Sequence, residues 1–185
     1  MPLDPDTLIP TSARSYTLVA TSIGTLGIAW SPRGLLAVQL PESSAERTEA
    51  RLVARVPGAV RRRPPEVVLA DIERVVAHLS GELDDFAGVR IDLERVPPFA
   101  RAVYSALRKV RPGRTTSYGE LARAAGSPNA ARAVGAAMAK NPLPIVVPCH
   151  RVLAAGKKGG GFSAHGGLKT KARILAIEGV QLGAS

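Results

Sequence analysis

The charge pattern of the chain changes abruptly at Val96-Pro97-Pro98, and this break constrains its organisation more than any other feature. Residues 1–94 carry 10 basic and 13 acidic side chains, a net of −3, whereas residues 95–185 carry 15 basic and 2 acidic ones, a net of +13. All six lysines lie in the second part, whose carboxylates are Glu120 and Glu178. Paired prolines interrupt a helix and push the residue before them towards extended backbone. The pattern predicts a loose tail over residues 1–15, an α+β domain over 16–95 and a basic domain over 96–185. So one-sided a charge suits a polyanion, and nucleic acid is the favoured partner.

A chain of 185 residues has room for one large domain or two small ones, each with its own core. Aromatic residues make up 4% of it, so the core must rest on Ala, Val, Leu and Ile. One cysteine excludes an internal disulfide and any cysteine-based zinc site, and fits a reducing compartment. The N-terminus is acidic and proline-broken, without the basic and apolar regions of a secretory leader, and no run has the length of a membrane span. A cytoplasmic monomer with no membrane partner is expected.

Tyr16–Thr21, Leu26–Trp30 and Leu35–Leu40 read as strands, with Ser31-Pro32-Arg33-Gly34 as a hairpin turn. Residues Glu42 to Arg55 and Glu66 to Leu79 read as helices, the second with Val67, Leu69, Ile72, Val75, Val76 and Leu79 at helical spacing and Gly81 closing it. His78, near the end of that helix, reads as a structural residue whose protonated ring would suit the helix dipole. Arg61-Arg62-Arg63-Pro64-Pro65 reads as a solvated loop, and Val89–Leu93 as one more strand. In the basic part, Phe99 to Val110 predicts a helix. Ser117 and Glu120 predict a capping box for a second helix ending near Ala125, and Ser127 with Pro128 predicts the start of a third that runs through Ala130–Ala139. Two short helices around Gly126 suggest a helix-turn-helix. On the third, Arg132, Gly135, Ala136 and Ala139 share one face, so a single long cation rises from small residues. Such a face can approach a DNA backbone closely; it can equally be an Ala-rich core helix with Arg132 reaching to solvent.

The apolar run Ile145-Val146-Val147 reads as a strand halted by Pro148, which places Cys149 where the chain leaves the core. Two readings of Cys149 stand at this point. Free cysteine usually packs as a small hydrophobe; beside His150 it can also be an activated nucleophile. Adjacency alone does not pair them, because neighbouring side chains diverge, so a bridging water or a tight turn is needed. His165 has no second histidine or cysteine at metal-ligand spacing, and no metal is expected.

Ser117-Tyr118-Gly119-Glu120-Leu121-Ala122, Arg132-Ala133-Val134-Gly135-Ala136-Ala137-Met138, Asn141-Pro142, Pro148-Cys149-His150-Arg151-Val152 and Glu178-Gly179 occur together and in this order. In this the chain resembles the O6-alkylguanine-DNA alkyltransferases, densely from about Phe99 to Gly179 and loosely before it. The resemblance implies an RNase H-like α+β N-terminal domain, with a small antiparallel sheet and helices, followed by an α-rich winged helix-turn-helix domain. It also implies single-turnover repair: minor-groove binding, flipping of an alkylated guanine, and irreversible transfer of its O6-alkyl group to Cys149. The partner is then duplex DNA carrying O6-alkylguanine, with O4-alkylthymine as a second lesion, and no cofactor takes part. Cys149 would act through a cysteine–water–histidine–glutamate relay with His150 and Glu178, and Asn141 would hold the turn that carries the thiol. Arg132 would fill the vacated stack and Tyr118 would crowd the 3′ phosphate, with Ser117, Ala130, Ala131 and Gly135 also at the DNA. Met138, Val152, Phe162 and Ser163 would form the substrate pocket. The chain departs from the family at Phe162-Ser163-Ala164-His165-Gly166-Gly167, which is two residues longer than the usual aromatic-serine-glycine-glycine pattern and has phenylalanine in place of tyrosine. Phe162 can stack on a base but cannot donate to its O6 atom. A damage sensor of this family would lack the cysteine, and a redox-sensing thiol would leave Arg132, Tyr118 and the charge split unexplained.

Overall fold

Strands β1 (Ser15–Thr21), β2 (Gly24–Ser31) and β3 (Gly34–Gln39) form the expected antiparallel meander. The computed structural model describes residues 13–154, 156 and 159–182, so the tail expected over residues 1–15 lies almost wholly outside the described residues. Ser31 pairs with Gly34, which leaves Pro32-Arg33 as the turn. Gly34 is required there: its φ is 143°, and a Cβ would stand 2.5 Å from the Arg90 carbonyl group.

The sheet is mixed, not purely antiparallel. Val60–Arg61 forms a short strand, β4, that pairs parallel to β1 and makes the sheet order β3-β2-β1-β4. The first arginine of the supposed solvated loop therefore belongs to the sheet, and the Arg62 N–H donates to the Tyr16 carbonyl at 3.0 Å. Conversely, Val89–Leu93 is not a strand. Ile91 makes a single parallel bridge to Leu35, and Asp92 then turns the chain away by accepting from Ser31 Oγ at 2.6 Å and from the Glu94 N–H at 3.1 Å.

Helix α1 (Ala45–Arg55) starts three residues later than expected, because Ser44 caps it by accepting from the Arg47 N–H at 3.3 Å. Helix α2 (Glu66–Leu79) has the expected bounds and buries Val68, Ile72, Val75, His78 and Leu79. After Pro97, α3 (Pro98–Leu107) leads to strand β5 (Thr116–Ser117), helix α4 (Tyr118–Ala124) and helix α5 (Ala131–Ala139). The predicted capping box is present: Ser117 Oγ accepts from the Glu120 N–H at 3.2 Å, and the Glu120 carboxylate accepts from the Ser117 N–H at 2.7 Å. The predicted start of α5 is not. Residues 127–130 form a turn closed by the Ala130 N–H on the Ser127 carbonyl at 2.9 Å, and the helix begins at Ala131 without a side-chain cap. Strand β6 (Val152–Leu153) runs parallel to β5, and α6 (Leu168–Ile177) follows.

One apolar cluster connects the sheet with the basic part. Leu26, Ile28, Leu35 and Val38 pack with Ile72, Val75 and Leu79 of α2, and the same cluster continues through Val103, Leu107, Leu121 and Val134 to Val147 and Cys149. A smaller cluster of Tyr16, Ala29, Ala37, Leu52 and Val56 lies under α1. Pairing of β5 with β6 ties the start of α4 to the chain just beyond Cys149. Replacing Ser117 with Ala should therefore lower stability by about 1 kcal/mol, and with Gly by only a few tenths. Urea unfolding of both variants checks this, and equal losses would contradict the cap.

Candidate active site

Asn141 closes the turn that presents the thiol. Its Nδ2 donates to the Val147 carbonyl at 2.8 Å, and its Oδ1 accepts from the Leu143 N–H at 3.0 Å. The run Ile145-Val146-Val147 lies inside this turn and is not a strand; Ile145 has φ 76°, a costly conformation for a β-branched residue. The turn is also held from the N-terminal part. The Val38 N–H donates to the Pro142 carbonyl at 2.8 Å, and Arg55 Nη2 to the Asn141 carbonyl at 3.2 Å. Pro148 then leads into a single 3₁₀ turn, Cys149–Arg151.

Cys149 is 9% exposed. Burial pushes its thiol above the ordinary value, and the Asn141 amide, the Lys171 ammonium and the Cys149 and His150 backbone N–H groups offset part of that rise. The resting group is therefore a thiol that needs a base. His150 is fully buried, and its Nε2 donates to Glu178 Oε1 at 2.8 Å. That bond commits Nε2–H to the carboxylate and leaves the lone pair on Nδ1, which is buried and has no partner among the described residues. Burial lowers the His150 pKa, against the pull of Glu178, so the ring is neutral at neutral pH.

Glu178, at the C-terminal cap of α6, is crowded with donors. Besides His150, Arg151 contacts Oε1 through Nη2 at 2.7 Å and Oε2 through Nε at 3.0 Å, and His78 Nε2 donates to Oε1 at 3.0 Å. Burial alone would raise the carboxyl pKa, but the bonds from His150, His78 and Arg151 outweigh it and hold the group well below the usual carboxylate range. Arg151 is itself buried and spends Nη1 on the Val110 carbonyl at 2.5 Å.

The expected protonated His78 at a helix end is corrected by its partners. Asp84 donates its backbone N–H to Nδ1 at 3.0 Å, so Nδ1 holds a lone pair and the ring is the neutral Nε2–H tautomer. Neither His78 nor Arg151 follows from chain spacing. Lys171 was also missed: its side chain is buried, and Nζ donates to the Val152 carbonyl at 2.6 Å. Burial draws its pKa down to about 8, against the pull of Cys149.

Two cavities meet at the thiol. One, about 270 Å³, is lined by Tyr118, Gly135, Met138, Cys149 and Phe162. The other, about 330 Å³, shares Met138, Cys149, Phe162 and Ser163 but is walled on its far side by Gln39, Glu42, Arg51 and Arg55. Of the expected pocket residues, Val152 lines neither; it is fully buried in β6 and reaches the site through its carbonyl. Ser163 Oγ donates to the Ala139 carbonyl at 3.5 Å, and His165 is an exposed loop residue 3.6 Å from Glu42. Tyr118 packs on α5, where a Cβ on Gly135 would lie 3.9 Å from its ring. Arg132, Ala136 and Ala139 are exposed along α5, Gly135, Ala130 and Ala131 are half-buried, and Ser117 is engaged in its cap. Among the described residues no group of three or more His, Cys, Asp or Glu side chains is placed to hold a metal ion.

The 3₁₀ turn thus carries a buried thiol and, next in sequence, a neutral imidazole held by a fixed carboxylate. Known proteins resemble this chain in sequence and in fold. A family profile described as "6-O-methylguanine DNA methyltransferase, DNA binding domain" matches residues 98–180. The methylated-DNA–protein-cysteine methyltransferase of Mycolicibacterium paratuberculosis is 45% identical over 114 residues, which is 62% of this chain and 67% of that one. Its counterpart in Mycobacterium bovis is 43% identical over 107 residues, 58% of this chain and 62% of that one. The alignments thus span about two thirds of these relatives' lengths. The crystal structure of Mycobacterium tuberculosis O6-methylguanine methyltransferase superposes with a TM-score of 0.72 at 32% identity, covering 93% of this chain and 96% of that one. The same enzyme in complex with DNA gives 0.72 at 32% identity over 89% and 92%. The chain belongs to the O6-methylguanine-DNA methyltransferase family.

Glu178 links the site to acid stability. Below about pH 4.3 the unfolded carboxylate binds a proton that the folded one does not, so its stabilisation is complete above that pH and is lost as pH falls below it. Glu178→Gln should cost about 3–5 kcal/mol at pH 7, because it leaves Arg151 buried without its counter-charge. Urea unfolding between pH 3 and 7 should show a shallower acid decline for the variant than for the wild type.

Proposed function

We propose that the protein repairs alkylated DNA by taking the O6-alkyl group of guanine onto Cys149, once per molecule. The observation that carries this reading is His150 Nδ1, a buried lone pair without a partner among the described residues, on the residue that follows the thiol and with its ring locked by Glu178. A water molecule between Cys149 and Nδ1 would pass the thiol proton to His150, and the Glu178 charge would stabilise the imidazolium. Cys149 sulfur then attacks the alkyl carbon; the C–S bond forms, the C–O bond breaks, and its electron pair returns to the guanine, which takes up one proton. A thioether is stable, so each molecule would act once.

The finer assignments come from the family resemblance, and the exposure of α5 and the cavity lining support them. Residues 96–185 act as the DNA-binding and transfer unit, with α4 and α5 as a winged helix-turn-helix and residues 16–95 as its support. The exposed small face of α5 can lie close in the minor groove, with Arg132 as the side chain that enters the stack. Tyr118 presses the 3′ phosphate, and the flipped base enters the cavity it shares with Met138 and Phe162. Flipping costs a few kcal/mol and less for a base that pairs badly, which favours lesions. The cavity volumes leave room for alkyl groups larger than methyl. Among the described residues no helix is long and apolar enough to cross a membrane.

Incubation with a duplex containing O6-methylguanine should add one methyl group per protein, located on Cys149 by peptide mass spectrometry. A protein that binds the duplex but stays unmodified would make it a sensor. Arg132→Ala should slow transfer from duplex DNA at least tenfold while changing the reaction with free O6-benzylguanine less than twofold, an effect of about 1.4 kcal/mol or more confined to DNA. Equal slowing of both reactions would remove Arg132 from the stack.

A further inference from the structure

Glu178 Oε1 is shared by two imidazoles, one from α2 of the N-terminal part and one from the 3₁₀ turn of the basic part. His150 Nε2 reaches it at 2.8 Å and His78 Nε2 at 3.0 Å, and both rings are fully buried. His78 is itself fixed. The Asp84 N–H holds its Nδ1 at 3.0 Å, the Asp84 carboxylate is clamped by Arg74 through two bonds of 2.7 Å, and the Phe86 ring packs against it tilted by 55° at 5.0 Å between centroids. Packing alone would need only the ring; the structure instead satisfies both nitrogens, one of them on the catalytic carboxylate.

We propose that His78 is a positioning residue of the transfer relay: its bond to Glu178 Oε1 limits how strongly that oxygen can pull on His150 and so sets the basicity of His150 Nδ1. This rests on the alkyl-transfer reading above. Each donor on one carboxylate oxygen draws charge density from the others, so two imidazoles on Oε1 each hold a weaker partner than either would alone. The remaining groups facing this carboxylate are constant in charge or turned elsewhere. Arg151 supplies the fixed cation, Asp84 is neutralised by Arg74, and Lys171, bonded to the Val152 carbonyl and with its pKa drawn down to about 8, bears on the alkaline limb and not on the acid one. Cys149 is the group the relay serves. The N-terminal part thereby contributes a residue to the chemistry as well as a wall to the cavity.

His78→Phe keeps a ring of similar size and loses the donor. His78→Gln keeps a donor for Oε1 and an acceptor for the Asp84 N–H. Rates of Cys149 alkylation by O6-benzylguanine, measured from pH 5.5 to 8.5 alongside melting temperature, separate the roles. In His78→Phe, His150 should become more basic, so the acid limb of the profile should move up by about one pH unit without a lower plateau. His78→Gln should follow the wild type. If His78→Phe does not fold, His78→Met, which also lacks the donor, takes its place with the same expectation. Unshifted profiles in Phe or Met, or an equal shift in Gln, would overturn the role of the donor. A wild-type protein that takes no alkyl group from O6-benzylguanine or from the O6-methylguanine duplex would overturn the transfer reading, and this inference with it.

Discussion

A single buried carboxylate bears the weight of this site. Glu178 is 4% exposed, and a charge so placed persists only because Arg151, His150 and His78 surround it with hydrogen bonds. Those bonds reach it from the 3₁₀ turn after Cys149 and from a helix of the N-terminal part. Two of the donors are in turn held by a backbone group, Arg151 by the Val110 carbonyl and His78 by the Asp84 N–H. The orientation of His150, the tautomer it adopts and the end of α6 therefore all depend on one side chain. Removing the carboxylate would do more than weaken a base; it would leave a buried guanidinium with no counter-charge.

The thiol turn is supported in a different way, by backbone bonds and tolerated strain. Asn141 satisfies a donor and an acceptor within the turn, and this lets Ile145 sit at positive φ inside an apolar run. Val38 and Arg55 pin the same turn from the sheet side. The meander and α1 thus act as a brace against which the reactive loop is set. With Gln39, Glu42 and Arg51, the brace also becomes the far wall of the larger cavity. That wall comes from the half of the chain that carries least of the family's pattern.

Much of this was legible from the sequence, and the failures have physical reasons. Helix α2 and the Ser117–Glu120 capping box could be read because their signals are local: a 3.6-residue apolar period and a cap three residues from its partner. The run Ile145-Val146-Val147 misled because short apolar segments suit a strand and a buried turn equally well, and the Asn141 bonds that decide the matter are tertiary. Strand β4 was hidden by its length of two residues, Val60 and Arg61, both exposed at a sheet edge and followed by two more arginines. Ser127 and Pro128 offered a sound helix start that lost to a turn placing Ala131 first. Cys149, His150 and Glu178 were drawn together by the resemblance and not by spacing. His78 could not be found in either way, since its partner lies 100 residues away.

Helix α6 also works as a ruler. Lys171, near its start, and Glu178, at its cap, are seven residues apart, about 10.5 Å along the axis and close to two full turns. Both side chains therefore leave the helix on one side, one towards β6 and the thiol, the other towards the two histidines. Adding or deleting one residue between them would swing Glu178 by about 100° around the axis and carry it out of reach of Arg151. The preceding loop, Phe162 to Gly167, can absorb extra residues because it carries no such phase. Along this stretch, helical phase fixes the residue count after Leu168 and leaves the count before it unconstrained.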